Sequence, residues 1–339
     1  MLARVTTVAD LATPALALDR TALDRNLATM ASARPGPSLR PHVKAHKCTM
    51  IAAAQQRAGH ERLCAATPRE ILGLAAASVG NDLLLANECV DPGRLRAMAH
   101  FGELVTVAVD SEPTISAARD NGILRVLIDV NVGLPRCGCS PDAAGRLADL
   151  ARSVGLEVRG VMGYEGHVVG IENHAERTEK CARSMERLLL AHDAVGGDVV
   201  SAGGTGTYAI NTAANEIQAG SYALMDTAYG ALGLPFVPAL RIVATVISVN
   251  PKFAVADAGL KTFGMDHGNP MLEGGDVLFC SDEHVTFRPD GSTRVGDRVL
   301  LQPAHIDPTM AYHDRVMIVD GPTLDATVLD EWTIDLRGW

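Results

Sequence analysis

Eight short apolar runs separated by amphipathic stretches constrain this chain more than any other feature. They are Leu39–Val43, Arg62–Ala66, Asp82–Ala86, Leu104–Val109, Arg125–Val130, Val158–Gly163, Val199–Ala202 and Glu216–Ala219. Each has the length and texture of a strand. The stretches between them read as helices. Thr67-Pro68-Arg69-Glu70 combines a Thr/Glu capping box with proline at the first helical position, Ser140-Pro141-Asp142 opens another helix, and His174 to His192 is the longest, rich in Glu and Arg. Strand and helix alternating in this way predict a TIM-type parallel (β/α)8 barrel ending near Pro235, with a doubly wound open sheet as the alternative.

The texture changes after Pro238. Arg241–Val249, Phe253–Asp257, Glu283–Phe287 and Arg298–Leu301 alternate apolar and polar residues and are parted by Gly, Asp and Asn turns. That is antiparallel β patterning. The α/β barrel is therefore assigned to residues 1–235 and a smaller, mostly antiparallel β domain to residues 236–339. About the first 15 residues are candidates to join the second domain.

Composition excludes several classes. A formal net charge of -10 over 339 residues argues against a nucleic-acid partner. The seven cysteines are scattered and form no paired CxxC arrangement, so neither a disulfide framework nor a structural zinc site is implied. No segment approaches the ~18 uninterrupted apolar residues of a membrane span. The expectation is a soluble, cytoplasmic protein without a membrane partner.

Barrel chemistry collects on loops at the C-terminal ends of the strands, and four sequence elements fall there. Lys44 ends the first run, in Arg40-Pro41-His42-Val43-Lys44-Ala45-His46-Lys47, and is one of only five lysines. Partial burial beside Arg40, His42 and His46 would lower its amine pKa and make it a nucleophile toward a carbonyl, for which pyridoxal phosphate is the commonest cofactor; a basic surface turn is the alternative. Arg136 follows the fifth run and could bind a phenolate or carboxylate, or simply face solvent. Ser201 to Tyr208 carries Gly203-Gly204-Thr205-Gly206, a glycine-rich turn after a strand that would cradle phosphate or serve only as a tight turn. Gln218-Ala219-Gly220-Ser221-Tyr222 ends the eighth run, and barrels commonly bind phosphate between their seventh and eighth loops. In the β domain, His305 and Asp307 stand two apart on an apparently extended segment, so that both would project to one side as ligands of one metal. One imidazole and one carboxylate suit Mn²⁺ or Mg²⁺ better than structural zinc.

These elements resemble, in order and over nearly the whole length, the fold-type III pyridoxal phosphate enzymes of the D-threonine aldolase and eukaryotic-type D-serine dehydratase family, distant relatives of alanine racemase. The resemblance rests on Thr13-Pro14-Ala15, on residues 40–47, on Val132-Gly133-Leu134-Pro135-Arg136-Cys137-Gly138, on residues 203–208, on residues 218–226 and on residues 303–309. It implies that Lys44 forms the Schiff base with pyridoxal phosphate and that Arg136 contacts the phenolic oxygen. Gly204, Thr205, Gly206, Ser221 and Tyr222 would surround the phosphate, and His305 and Asp307 would hold the metal. It also implies a homodimer acting on a small D-amino acid. In the family a His-x-Cys pair accompanies zinc-dependent dehydratases and a His-x-Asp pair accompanies manganese- or magnesium-dependent aldolases. Asp307 thus points to aldol cleavage of a D-threonine-like 3-hydroxy amino acid, with dehydration of D-serine or D-3-hydroxyaspartate as the alternative.

Two departures qualify the resemblance. Alanine racemases carry a tyrosine shortly after the barrel, where this chain has Val255-Ala256-Asp257-Ala258-Gly259. After the sixth run stands Gly163-Tyr164-Glu165-Gly166-His167, whose Gly-His pair is closer to the dehydratases. Tyr164 is assigned to the cofactor and catalytic set, and His167 is the first choice for general base.

Overall fold

In the computed structural model, which describes residues 6–339, parallel and antiparallel strands segregate into separate units. One unit comprises Met30–Lys44, Thr49–Gly220 and Leu336–Trp339. The other comprises the chain up to Thr29, Ala45–Cys48 and Ser221–Asp335. Strand β1 (Ala15–Asp19) belongs to the second unit.

The first unit is the barrel. Strands β2 (Arg62–Ala65), β3 (Asp82–Leu85), β4 (Val105–Val109), β5 (Arg125–Asp129), β6 (Glu157–Gly163), β7 (Val199–Ala202) and β8 (Glu216–Ile217) are hydrogen-bonded in sequence order, every pairing parallel. Residues 39–42 take the eighth place. Leu39 bridges Ile217 and His42 bridges Cys64, both in the parallel sense. The Arg40 and His42 N–H groups donate to the carbonyls of Ile217 (2.9 Å) and Ala219 (3.0 Å), and the Cys64 N–H donates to the Pro41 carbonyl (2.9 Å). Proline has no N–H to return toward β2, so this segment closes the ring through bridges rather than as a regular strand.

The helices start where the sequence signals them. Thr67 caps the helix Pro68–Ala76: its Oγ1 accepts from the Glu70 N–H at 3.3 Å, while Glu70 Oε2 accepts from the Thr67 N–H at 3.1 Å. Pro141–Ser153 opens after Ser140, and His174–Val195 is the longest helix at 22 residues.

The Arg40 side chain has a structural role. It is fully buried and turns to the N-terminal ends of the strands, away from Lys44. There Nε donates to Glu216 Oε1 at 2.7 Å and Nη2 to Asp82 Oδ2 at 3.1 Å, and Arg159 Nη2 reaches the same Asp82 oxygen at 2.8 Å. Arg40 closes the barrel floor, where removing one partner would strand an uncompensated charge.

The second unit is a mostly antiparallel sheet in the order β12-β13-β10-β9-β1-β15-β16, with β9 (Leu240–Val249), β10 (Ala254–Ala256), β12 (Val277–Cys280), β13 (Val285–Phe287), β15 (Arg315–Val319) and β16 (Val328–Thr333). Strand β14 (Arg298–Gln302) pairs with β9 and with the two-residue β11 (Met271–Leu272). β1 lies between β9 and β15, antiparallel to the first and parallel to the second. Its Ala17 joins Val8, Leu11, Val243, Leu300, Val319 and Ala326 in one buried cluster. The N-terminal segment is therefore a central strand of the β unit. Among the described residues, no helix is long and apolar enough to cross a membrane.

Candidate functional site

Each unit carries its own cluster of chemistry-bearing residues. In the barrel unit, Lys44 sits half-buried in the short turn Val43–Ala45, directly after the closing segment. Its backbone N–H donates to His42 Nδ1 at 3.3 Å, so that ring nitrogen is an acceptor. Burial pushes the thiol of Cys64 on β2 well up. Arg40 and Lys44 pull in the opposite direction, which sets the Lys44 amine within electrostatic reach of the barrel interior.

The loops after β5 and β6 meet around Tyr164. The Arg136 guanidinium lies over its ring, 5.5 Å from the centroid. The other contact is with the glycine turn: a Cβ built on Gly204 would stand 3.5 Å from Tyr164 Cε2 and 3.3 Å from Val169 Cγ1. Gly166 makes room for the ring, since a Cβ there would come within 2.6 Å of Tyr164 Cε1. The structure thus brings Arg136, Tyr164 and Gly204 together. His167 is exposed, and its imidazole packs on Gly133, whose φ of +134° and close contact both demand glycine.

The turn Gly203 to Gly206 is held from below by Glu165, which is fully buried. Its carboxylate accepts from the Gly203 N–H (3.1 Å), the Thr207 hydroxyl (2.8 Å) and the Asn211 amide (3.4 Å). Thr207 Oγ1 in turn accepts from the Gly204 N–H at 3.1 Å. Burial and this carboxylate together push the nearby Cys181 thiol up to about 12. Tyr164 and His167, on either side of Glu165, are legible in the sequence, and Glu165 itself was passed over. The available signal was an acid directly preceding a glycine after a strand, and that signal is weak. At Gly206 a Cβ would lie 1.8 Å from the Val169 carbonyl oxygen, so the backbone approach there excludes any side chain. The Gly203 and Gly204 N–H groups are thus held within the fold by Glu165 and Thr207, and a phosphate at this turn would be received by the rest of it.

A second residue that the sequence reading missed is Asp129, at the end of β5. Burial, reinforced by Glu88 and Asp110, pushes its carboxyl well above the usual range, while Arg136 pulls in the opposite direction.

In the β unit, Ser221 and Tyr222 form the short turn Ser221–Ala223, and Tyr222 is fully buried with its ring 5.6 Å from Phe236. His305 and Asp307 do not lie on an extended segment as expected. β14 ends at Gln302, His305 caps the helix Ile306–Tyr312, and Asp307 sits in that helix's first turn. A cap and a first-turn residue converge as well as alternate strand positions would: His305 Nε2 stands 3.6 Å from Asp307 Oδ2. Asp226, itself fully buried, fixes the cap by accepting from the Ile306 N–H at 3.1 Å. Burial raises the Asp226 carboxyl, and Asp307 adds to the rise, against the Tyr229 and Ile306 N–H groups and His305. Asp266 and His267 also reach His305. Neither is legible in the sequence, because they lie on a separate loop. One imidazole nitrogen and one carboxylate oxygen facing each other suit a hard or borderline divalent ion.

Comparison with known proteins matches both units. The alanine racemase N-terminal domain matches residues 18–228, and a serine dehydratase domain matches residues 239–319. A D-threonine aldolase from Arthrobacter sp. is 34% identical, with 96% of this chain and 93% of that protein aligned. A 3-hydroxy-D-aspartate aldolase from Paracoccus denitrificans is 31% identical over 97% of this chain and 93% of its own. The crystal structure of D-threonine aldolase from Filomicrobium marinum superposes with a TM-score of 0.90 at 31% identity, covering 99% of each chain.

Proposed function

Because this chain belongs to the D-threonine aldolase and D-serine dehydratase family of alanine racemase-like lyases, we propose that it cleaves D-threonine-like 3-hydroxy amino acids to glycine and an aldehyde. The observation that carries this reading is the pairing of His305 with a carboxylate, Asp307, at 3.6 Å, where a thiolate would favour a softer ion.

Each residue has a place in the chemistry. Lys44 would offer its amine to the carbonyl of pyridoxal phosphate. Arg136, lying over Tyr164, would contact the phenolic oxygen, the Gly204-Thr205-Gly206 turn would receive the phosphate, and Ser221 and Tyr222 are proposed to hold it as well. When bound, the cofactor supplies an electron sink for the pair released from the Cα–Cβ bond. His305 and Asp307 would hold Mn²⁺ or Mg²⁺, which would lower the pKa of the substrate's β-hydroxyl. His167 accepts the hydroxyl proton as that bond breaks and the aldehyde forms, and a proton delivered to Cα completes glycine. The active form is proposed to be a homodimer.

A dehydratase reading draws on Gly166-His167 and on the serine dehydratase domain match. In that reaction the hydroxyl leaves instead of the Cα–Cβ bond breaking. The test is a product assay with purified protein, pyridoxal phosphate and Mn²⁺ on D-threonine, D-phenylserine, D-3-hydroxyaspartate and D-serine. Glycine plus aldehyde, abolished by EDTA, is expected. Ammonia and a 2-oxo acid would replace the proposal with the dehydratase.

A further inference from the structure

His305 is held by more than its own helix. An isolated antiparallel bridge joins Gly264 to His305 and lays the 264–266 backbone alongside the metal pair. The Gly264 N–H donates to Thr309 Oγ1 at 3.1 Å, and the Thr309 hydroxyl donates to the His305 carbonyl at 2.6 Å. A Cβ on Gly264 would fall 2.2 Å from Pro308 Cγ, so only glycine allows this approach. The register brings Asp266 Oδ2 to 2.7 Å from His305 Nδ1. The next residue, His267, stacks on the same imidazole, with ring centroids 4.1 Å apart and planes 9° from parallel.

We propose that Asp266 is the positioning residue of the metal pair, fixing the His305 tautomer and ring angle so that Nε2 presents its lone pair beside Asp307. The inference rests on the reading of His305 and Asp307 as metal ligands. A neutral imidazole has one donor and one acceptor nitrogen, and a carboxylate only accepts. The 2.7 Å contact therefore places the proton on Nδ1 and leaves Nε2 as the acceptor. Nε2 is the nitrogen that faces Asp307, at a distance too long for a hydrogen bond. A carboxylate behind a ligating histidine sets the ring orientation and raises its basicity, and its loss typically weakens metal affinity by about 10- to 100-fold. His267 restrains the ring by stacking.

The same atoms admit a rival arrangement. One donor atom each from Asp266, His267 and His305 lie within 4.8 Å of one another, a spacing that would let the three hold an ion themselves. That arrangement would use Nδ1 and break the hydrogen bond to Asp266, whereas the positioning role keeps it. The two differ sharply in what His267 does.

Titration of full-length protein, loaded with pyridoxal phosphate, with MnCl₂ and readout of free Mn²⁺ by electron paramagnetic resonance separates them. Asp266→Ala should weaken Mn²⁺ binding about 10- to 100-fold. Asp266→Asn keeps a carbonyl acceptor for Nδ1–H and should recover binding to within about threefold of the native protein, whereas a direct ligand would not be replaced so well. His267→Ala should change affinity by less than about threefold. Asp266 and His267 are both exposed, so circular dichroism should report native folding in every variant. Unchanged binding in Asp266→Ala would overturn the proposal. So would a loss in His267→Ala equal to that in Asp266→Ala, which would establish the three-residue arrangement. Absence of Mn²⁺ binding by the native protein would remove the metal pair itself, and Asp266's role with it.

Discussion

The barrel unit and the β unit support their functional residues by opposite means. Behind the glycine turn of the barrel lies Glu165, fully buried, with four donors converging on one carboxylate: the Gly203 N–H, the Thr207 hydroxyl, the Asn211 amide and the Cys181 thiol. Behind His305 lies Asp266, whose side chain is 56% exposed and which makes a single short contact. The buried support is part of the fold, because removing it leaves desolvated donors unmatched. The exposed support can be removed with little effect on the fold. Removing the buried support of the barrel turn should therefore register as lost stability, and a substitution at the metal pair as lost function in a stable protein.

The largest effect tests function alone. Lys44→Ala should lower turnover about 1,000-fold or more and remove the cofactor's visible absorbance, yet leave the urea midpoint within error of the native protein. A measured loss of stability would mean that Lys44 is part of the barrel's packing and would blur the contrast. The direct comparison comes next. Glu165→Ala should cost about 2–4 kcal/mol of unfolding free energy. His305→Ala, measured without metal, should cost under about 1 kcal/mol while lowering aldehyde formation about 100-fold or more. Equal stability losses in the two would break the comparison.

The smallest expected effect is a pH slope. Burial would raise the Asp82 carboxyl, but the Arg159 and Arg40 guanidiniums outweigh it and hold the group well below the usual carboxylate range. A depressed acid contributes stability that is fully present above its unfolded value, near 3.9, and is lost as pH falls toward the folded value. Urea midpoints should accordingly fall as the native protein is taken from pH 5 to pH 3. Asp82→Asn should start lower at neutral pH and show a shallower decline over the same range. An unchanged slope in the variant would mean that other acids control the acid limb.

Much of this molecule is legible in local sequence. The capping box at Thr67, the proline openings of two helices and the apolar runs of the barrel after the first appear as the sequence signals them, because strand and helix period are local properties. The glycine turn at 203–206 is legible for the same reason. Its neighbour Glu165 is not: three of its donors come from residues 38 to 46 positions away in sequence, and only the fold brings them together. β1 escapes sequence reading in a different way. Ala-Leu-Ala-Leu-Asp has no strand propensity to speak of, and the segment becomes a strand because β9 and β15 flank it on both sides.

The metal pair shows where the division falls. Sequence spacing determined that His305 and Asp307 are near neighbours with hard-ligand chemistry. It suggested the wrong backbone, since the segment is a helix cap rather than a strand, yet the convergence survives because both conformations bring positions two apart to one side. Tertiary structure alone decided which nitrogen of His305 faces Asp307, through a carboxylate 39 residues away in sequence. Residue types and short spacings carry chemistry because covalent geometry fixes them. Tautomer, ring angle and buried support depend on groups distant in the chain, and those are chosen only when the backbone has folded.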